Sequence, residues 1–333
     1  MRILSRLRPD VFTLLLAATV ALASLLPVTG EAAQAFALVT KAAVALLFFL
    51  HGAKLSREAV TEGLAHWRLH LVVLSLTFVL FPLMGIAFDL SFSRWINPLL
   101  GMGVLYLCLL PSTVQSSIAF TSIAGGNVAA AVCSASASNL LGVFLTPLLV
   151  ALVMDVEGGG VSWSAVTGIV CQILLPFIAG QTARPWIGGF LNRHKPLTSL
   201  VDRGSILMVV YLAFSDAVAH GLWRRLDALD LVELALACAA LLAAALVAAT
   251  WLARRLGFSR EDEIAIVFCG SKKTLASGLP MASVLFPAAS VGVIVLPLML
   301  FHQIQLMACA VLARRYADTA PDAGAPGVAG EGI

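Results

Sequence analysis

Apolar runs of about twenty residues, each closed by charged or turn-forming residues, recur along the whole chain. Read between those breaks, they predict helices near 11–28, 35–53, 69–88, 97–124, 127–153, 162–183, 204–222, 231–252, 262–286 and 289–313. A helix rises about 1.5 Å per residue, so about 20 residues cross a bilayer core of about 30 Å. Ten such runs predict an all-α polytopic membrane protein. Two runs break the pattern at their centres, the fourth with "PSTVQSS" at 111–117 and the ninth with "CGSKKT" at 269–274. Both are expected to be interrupted helices, which lipid tolerates only where protein or a wet cavity covers the loose backbone.

A cut near residue 158 leaves five runs in each half, about 10–157 and 158–316. Both halves close alike: an interrupted helix, a small-residue turn ("AGGN" at 124–127, "FPAAS" at 286–290), then a long helix with an internal proline, Pro147 or Pro297. An odd number of crossings per half sends the second half in from the other side. The expectation is a five-plus-five inverted repeat whose broken helices meet near the midplane, where secondary transporters place their binding sites. Residues 1–316 are read as one transmembrane domain and 317–333, rich in Pro and Gly, as a disordered cytoplasmic tail. The small residues of "SIAGG" (122–126) and "SASASN" (134–139) are read as close-packing positions between helices.

Composition agrees with the pattern. The 333 residues are 60% hydrophobic and 12% charged, against about 25% charged in soluble domains. The net charge of +3 is spread between spans and not gathered in a patch, so no nucleic acid partner is expected. Cys108, Cys133, Cys171, Cys238, Cys269 and Cys309 lie in apolar runs without ligand spacing, and are read as small hydrophobes, with no disulfide, metal site or cofactor. Lys and Arg in short loops set orientation. With the N-terminus inside, the cytoplasmic side collects Arg2, Arg6, Arg8, Lys54, Arg57, Arg68, Arg184, Arg193, Lys195, Arg203, Arg254, Arg255, Arg260, Arg314 and Arg315. The other side keeps Arg94, Arg224 and Arg225, beside Glu31, Asp89, Asp155 and Glu157. The prediction is a multi-pass protein of the cytoplasmic membrane with both termini inside. A cleaved signal peptide is the rival reading of residues 1–35, but its apolar run is longer than the usual core of about 7–15 residues, and cleavage spoils the charge asymmetry.

An ionisable group at the bilayer centre costs about 2.5–3.5 kcal/mol, so each one points to function. The candidates are Lys41, Asp216, Lys272, Lys273 and His302. Lys41 lies near a span end and can snorkel; His302, with Gln303 and Gln305, is expected to make interhelical hydrogen bonds. Asp216 can pair with a lysine, either as a structural ion pair or in transport. Lys272 and Lys273 do not both fit a regular helix, where neighbours point about 100° apart; a break at Gly270 and Ser271 removes the conflict. One lysine is then expected to face a central cavity while the other reaches a helix C-terminal carbonyl or Asp216. The charge would bind an anion, take the place of a coupling cation, or titrate. The bland alternative is a surface loop with two solvated lysines.

At these residues the chain resembles a known family. "FFLHGAKLS" (48–56), "LLPSTVQSS" (109–117), "AFSDA" (213–217) and "FCGSKKTLASGLPMA" (268–282) are similar to the bile acid:sodium symporter family, most of all the branch related to the seventh human member. The resemblance implies ten helices in panel and core domains, with two broken helices crossing in the core. It implies sodium bound around that crossing and solute in the cavity between panel and core. Ser116 and Ser117 fall where the better-studied branch has Ser-Asn, and Thr77 falls on its third-helix glutamine. Where that branch has Glu-Val-Gly-Met-Gln-Asn, this chain has Phe268, Cys269, Gly270, Ser271, Lys272 and Lys273. An ammonium inside a cation's ligand shell repels the ion, which argues against sodium at the same sites.

The function expected is secondary transport of a small, anionic organic solute by alternating access. The solute and ion site would comprise Thr77, Thr113, Gln115, Ser116, Ser117, Asp216, Gly270, Ser271, Lys272, Lys273 and Thr274. Sodium or a proton is the coupling ion to be distinguished. The alternatives are a non-transporting membrane regulator of ion homeostasis and a lysine-dependent membrane enzyme; the enzyme lacks any triad or metal pattern.

Overall fold

In lipid, backbone hydrogen bonds must close within the chain, and the chain answers with helices. A computed structural model describes residues 11–54, 66–92, 96–154, 167–168 and 170–319, with no strand among them. The basic cluster Arg2–Arg8, the start of the signal-peptide reading, Arg57, Arg94, Asp155, Glu157, the half-chain junction near 158 and most of the expected tail lie outside the described residues.

The helices are α1 (Val11–Leu25), α2 (Gly30–Lys54), α3 (Trp67–Phe92), α4 (Pro98–Leu109), α5 (Gln115–Ile123), α6 (Val128–Val153), α7 (Leu175–Arg193), α8 (Lys195–Ala219), the single turn α9 (Leu222–Arg225), α10 (Ala228–Arg255), α11 (Arg260–Gly270), α12 (Leu275–Leu285) and α13 (Ala288–Asp318). Six of them, α2, α3, α6, α8, α10 and α13, are long and apolar enough to cross a membrane. Large apolar side chains such as Leu38, Leu83, Leu152, Leu229 and Val247 point outward and exposed, as a lipid-facing surface requires. The chain is a multi-pass membrane protein.

Hydropathy marks what lies in lipid, and helices continue past it. α8 starts at Lys195, nine residues before the expected 204, because the polar turn "KPLTSLVDR" carries Pro at its start, where a missing N–H costs nothing. α13 runs through Asp318, into the expected tail. Arg260 holds its end, donating to the Tyr316 carbonyl and, at 3.0 Å, to Thr319 Oγ1.

Two groups of helices pack side by side. In one, α2 lies on α7 and α1 on α8. The α2–α7 crossing is close because Gly52 sits under the Phe177 carbonyl while Gly180 sits under the Phe49 carbonyl, leaving no room for a Cβ on either. In the other group, α4 packs on α3 and α13, and α11 on α5, α6 and α10. One end of that group is tied by ions: Arg254 donates to both Glu263 oxygens at 2.9 and 3.0 Å, and Tyr316 donates to Glu263 Oε1 at 2.9 Å. Asn127, in the turn after α5, donates its N–H to the Glu261 carbonyl and its amide to Asp262 at 2.9 and 2.8 Å.

Candidate functional site

α4 stops at Leu109 and α11 at Gly270, and both chains run non-helically for four or five residues before α5 and α12 begin. A helix end leaves up to four carbonyls without partners, and in an apolar interior each must find one. The two breaks supply each other. Thr274 donates its N–H to the Pro111 carbonyl at 3.0 Å, Ser112 Oγ donates to the Cys269 carbonyl at 2.5 Å, and Ser117 Oγ donates to the Phe268 carbonyl at 2.8 Å. α6 supplies more: Ser138 Oγ accepts from the Ser112 N–H at 3.0 Å, Asn139 donates to the Ser112 carbonyl at 2.6 Å, and Thr146 donates to the Leu109 carbonyl at 2.9 Å.

The remaining carbonyls take Lys273. Its Nζ donates to the carbonyls of Thr77, Cys108 and Leu110 at 2.9, 3.0 and 2.6 Å, using all three ammonium protons. The Phe81 ring lies over it at 4.1 Å. The Thr77 carbonyl is reachable because α3 widens into a π turn over Leu76–Leu80, which loosens the regular ladder. Gln305 fixes the lysine's backbone on both sides, accepting from its N–H at 2.9 Å and donating to its carbonyl at 3.0 Å. His302 Nδ1 lies 2.9 Å from the same Gln305 amide.

Lys272 lives differently. Among the described residues its Nζ hydrogen-bonds to Ser116 Oγ alone, at 3.5 Å, and it lies 4.4 and 5.4 Å from the Phe120 and Phe268 rings. Both lysines are wholly buried, so the solvated surface loop is ruled out. Among the described residues no carboxylate lies within ion-pair distance of either lysine.

Beside the breaks, between the two helix groups, is a cavity of about 270 Å³. Phe48, His51 and Lys54 of α2, Phe177 of α7 and Asp202 of α8 line one side. Gln115 of α5, Ser136 and Asn139 of α6 and Ser277 of α12 line the other. Lys54 donates to Asp202 Oδ2 at 2.8 Å, and His51 Nε2 stands 3.9 Å from Oδ1. Exposure falls along α2 from 32% for the Lys54 side chain to 0% for Phe48, so the cavity opens at the Lys54 end.

Of the expected site residues, the structure gathers Thr77, Ser112–Ser117 and Gly270–Thr274 at the crossing, with Gln115 facing the cavity. Thr77 contributes its carbonyl, while its hydroxyl is spent on Val73 at 2.8 Å. Thr113 and Ser116 hydroxyls lie 3.3 Å apart. Ser271 Oγ donates back to Val267 at 2.6 Å, and Gly270 lies against Leu76 with no space for a side chain. Neither lysine lines the cavity. Asp216 pairs with neither: it stands in the last turn of α8, its Oδ2 3.7 Å from His220 Nδ1. Lys273 has three carbonyls in place of that carboxylate. Sequence reading missed Asn139, Ser136 and Ser138, taken for packing residues, and also His51, Lys54 and Asp202. An amide within a span, at Asn139, was the signal available.

Residues 10–318 match the model of the SBF-like CPA transporter family. A Pseudomonas aeruginosa protein is 60% identical over 321 residues, 96% of each chain. The Escherichia coli protein named "Putative symporter YfeH" is 57% identical over 307 residues, 92% of each chain. The Xenopus laevis protein named "Sodium/bile acid cotransporter 7-A" is 31% identical over 320 residues, 94% of this chain and 93% of its own. Multi-pass helices, hydrogen-bonded helix breaks and these likenesses converge: the chain belongs to the SBF-like CPA transporter family and is a transporter, not an enzyme.

Proposed function

We propose that the protein carries a small organic anion across the cytoplasmic membrane, taking it up in the cavity between α2/α7/α8 and α5/α6/α12. The observation that carries this reading is the sign of the interior. Lys272 and Lys273 are buried without a carboxylate partner among the described residues, and the first turns of α5 and α12, bearing Gln115 and Ser277, border the cavity. Helix N-termini carry about half a positive charge each and favour anions. At the mouth, Asp202 neutralises Lys54 until an incoming carboxylate or phosphate competes for the ammonium. Gln115, Asn139 and Ser277 supply neutral hydrogen bonds deeper in.

The reading includes the ten-crossing inverted repeat, with α4/α5 and α11/α12 as the broken pair, in one transmembrane domain. Lys54, Arg68, Arg254, Arg255 and Arg260 lie at helix ends on one side and Asp89, Asp227 and Asp230 at ends on the other; the positive-inside rule then puts the Lys54 end, and both termini, in the cytoplasm. The cavity thus faces inward. Alternating access moves the α2/α7/α8 group against the crossing.

Uptake into proteoliposomes of a panel of labelled small acids, each with its neutral amide, tests the reading. An acid is expected to be carried and its amide refused. Losing a hydrogen bond to a charged group costs about 1.5–3 kcal/mol, so Lys54→Ala is expected to weaken uptake affinity about tenfold or more. Preference for the amides, or no flux of any acid, overturns it.

A further inference from the structure

The vertebrate relatives carry sodium in their names, and a sodium ion in a protein needs several oxygens converging on one point, as hard cations do. At the crossing such a point exists, made by the carbonyls of Thr77, Cys108 and Leu110, and the Lys273 ammonium is in it at 2.6–3.0 Å from all three. The fourth side is closed by the Phe81 ring at 4.1 Å. The negative ends that face it, the C-terminus of α4 and the opened π turn of α3, are what a cation would seek. The lysine cannot leave, because Gln305 of α13 grips its backbone N–H and carbonyl. A second cation at this point would meet a fixed charge that no carboxylate among the described residues offsets. Lys272 has no such set of carbonyls among the described residues: around it are the Ser116 hydroxyl at 3.5 Å, the Phe120 and Phe268 rings and the thiols of Cys269 and Cys309.

We infer that Lys273 is a resident cation, covalently part of the chain, that fills a three-carbonyl cation site at the helix crossing, so that no sodium ion binds there. The lysine neutralises the end of α4 and the opened turn of α3 in every state of the transporter, and no ion enters or leaves at this point. The inference concerns the crossing alone and stands apart from the choice of solute in the cavity.

Thermal unfolding of the purified protein in chlorides of sodium, potassium, ammonium and choline at equal ionic strength reads the claim without any flux measurement. The wild-type midpoint is expected to be the same in sodium as in choline. Lys273→Ala empties the carbonyl site, and its midpoint is expected to be lowest in choline and to rise with ammonium or another small cation. Lys273→Met keeps the stem and loses the charge; it is expected to be less stable than wild type in all four salts, with no rescue. A saturable sodium-specific rise in the wild type overturns the inference. So does a Lys273→Ala protein that no small cation stabilises, or a Lys273→Met protein as stable as wild type. If Lys273→Ala does not fold, the wild-type and Lys273→Met comparisons decide alone. Acid uptake that fails while these salt responses hold would remove the proposed solute and leave the resident cation standing.

Discussion

Lys272 and Lys273 are neighbours in sequence with opposite surroundings. Lys273 satisfies three carbonyls, each of which costs about 1–3 kcal/mol when buried and stranded. The midpoint shift per kcal/mol falls with chain length and is about 1.5 °C for 333 residues, so Lys273→Met is expected to lower the unfolding midpoint by roughly 5–15 °C. Lys272→Met removes one long hydrogen bond and a cation–π contact of about 0.5–2 kcal/mol. It also removes an under-solvated charge, so its midpoint is expected to stay within a few degrees of wild type. Equal losses for the two variants, measured in one detergent, would contradict this asymmetry. Two adjacent charges in an apolar run announced themselves in the sequence, because burial of charge is costly whatever the fold. A helix C-terminal carbonyl was expected for one of them, and Lys273 has two at the end of α4. Which carbonyls these are, and the third from Thr77, was not legible, because main-chain carbonyls carry no residue signature. Ser138 and Asn139 were hidden for a related reason: a small polar residue packs and hydrogen-bonds equally well, and only its direction tells which.

Among the elements, the two broken helices were legible since Pro111, Gly270 and the polar run around each interrupt an otherwise continuous apolar pattern. The π turn of α3 was not, because "LTFVL" is as apolar as an ordinary helical turn. Helix ends were misjudged outward of the lipid, where helices persist on capping and packing. The crossing of α2 and α7 makes a sharp prediction. Gly52→Ala puts a methyl into the Phe177 carbonyl and is expected to cost about 1–3 kcal/mol of overpacking. Gly204→Ala, in the helix α8 with open space around it, is expected to be neutral or to gain up to about 1 kcal/mol. Chemical or thermal unfolding of the two variants side by side checks both signs.

At the scale of the whole molecule, Lys and Arg positions carry the proposed assignment of sides, and chain contacts sort the two helix groups. That grouping depends on distant pairs such as Lys54 with Asp202, 148 residues apart, which no local pattern contains. Orientation can be read from outside the cell. In a Cys171→Ser background, where the remaining described thiols are buried, a membrane-impermeant maleimide added to intact cells is expected to label Arg224→Cys and to spare Arg255→Cys. The opposite result would invert the assignment of sides.

The hydrogen bond from the Thr274 N–H to the Pro111 carbonyl joins the two interrupted helices through peptide groups, without a side chain between them. A joint of that kind has no rotamers to switch and no slack to take up. Together with the serine hydroxyls that lace the breaks, it makes the crossing one stiff strut, a fulcrum with no hinge of its own. Where only side-chain tips meet, as at Lys54 and Asp202 on the rim, the molecule keeps the compliance that the crossing lacks.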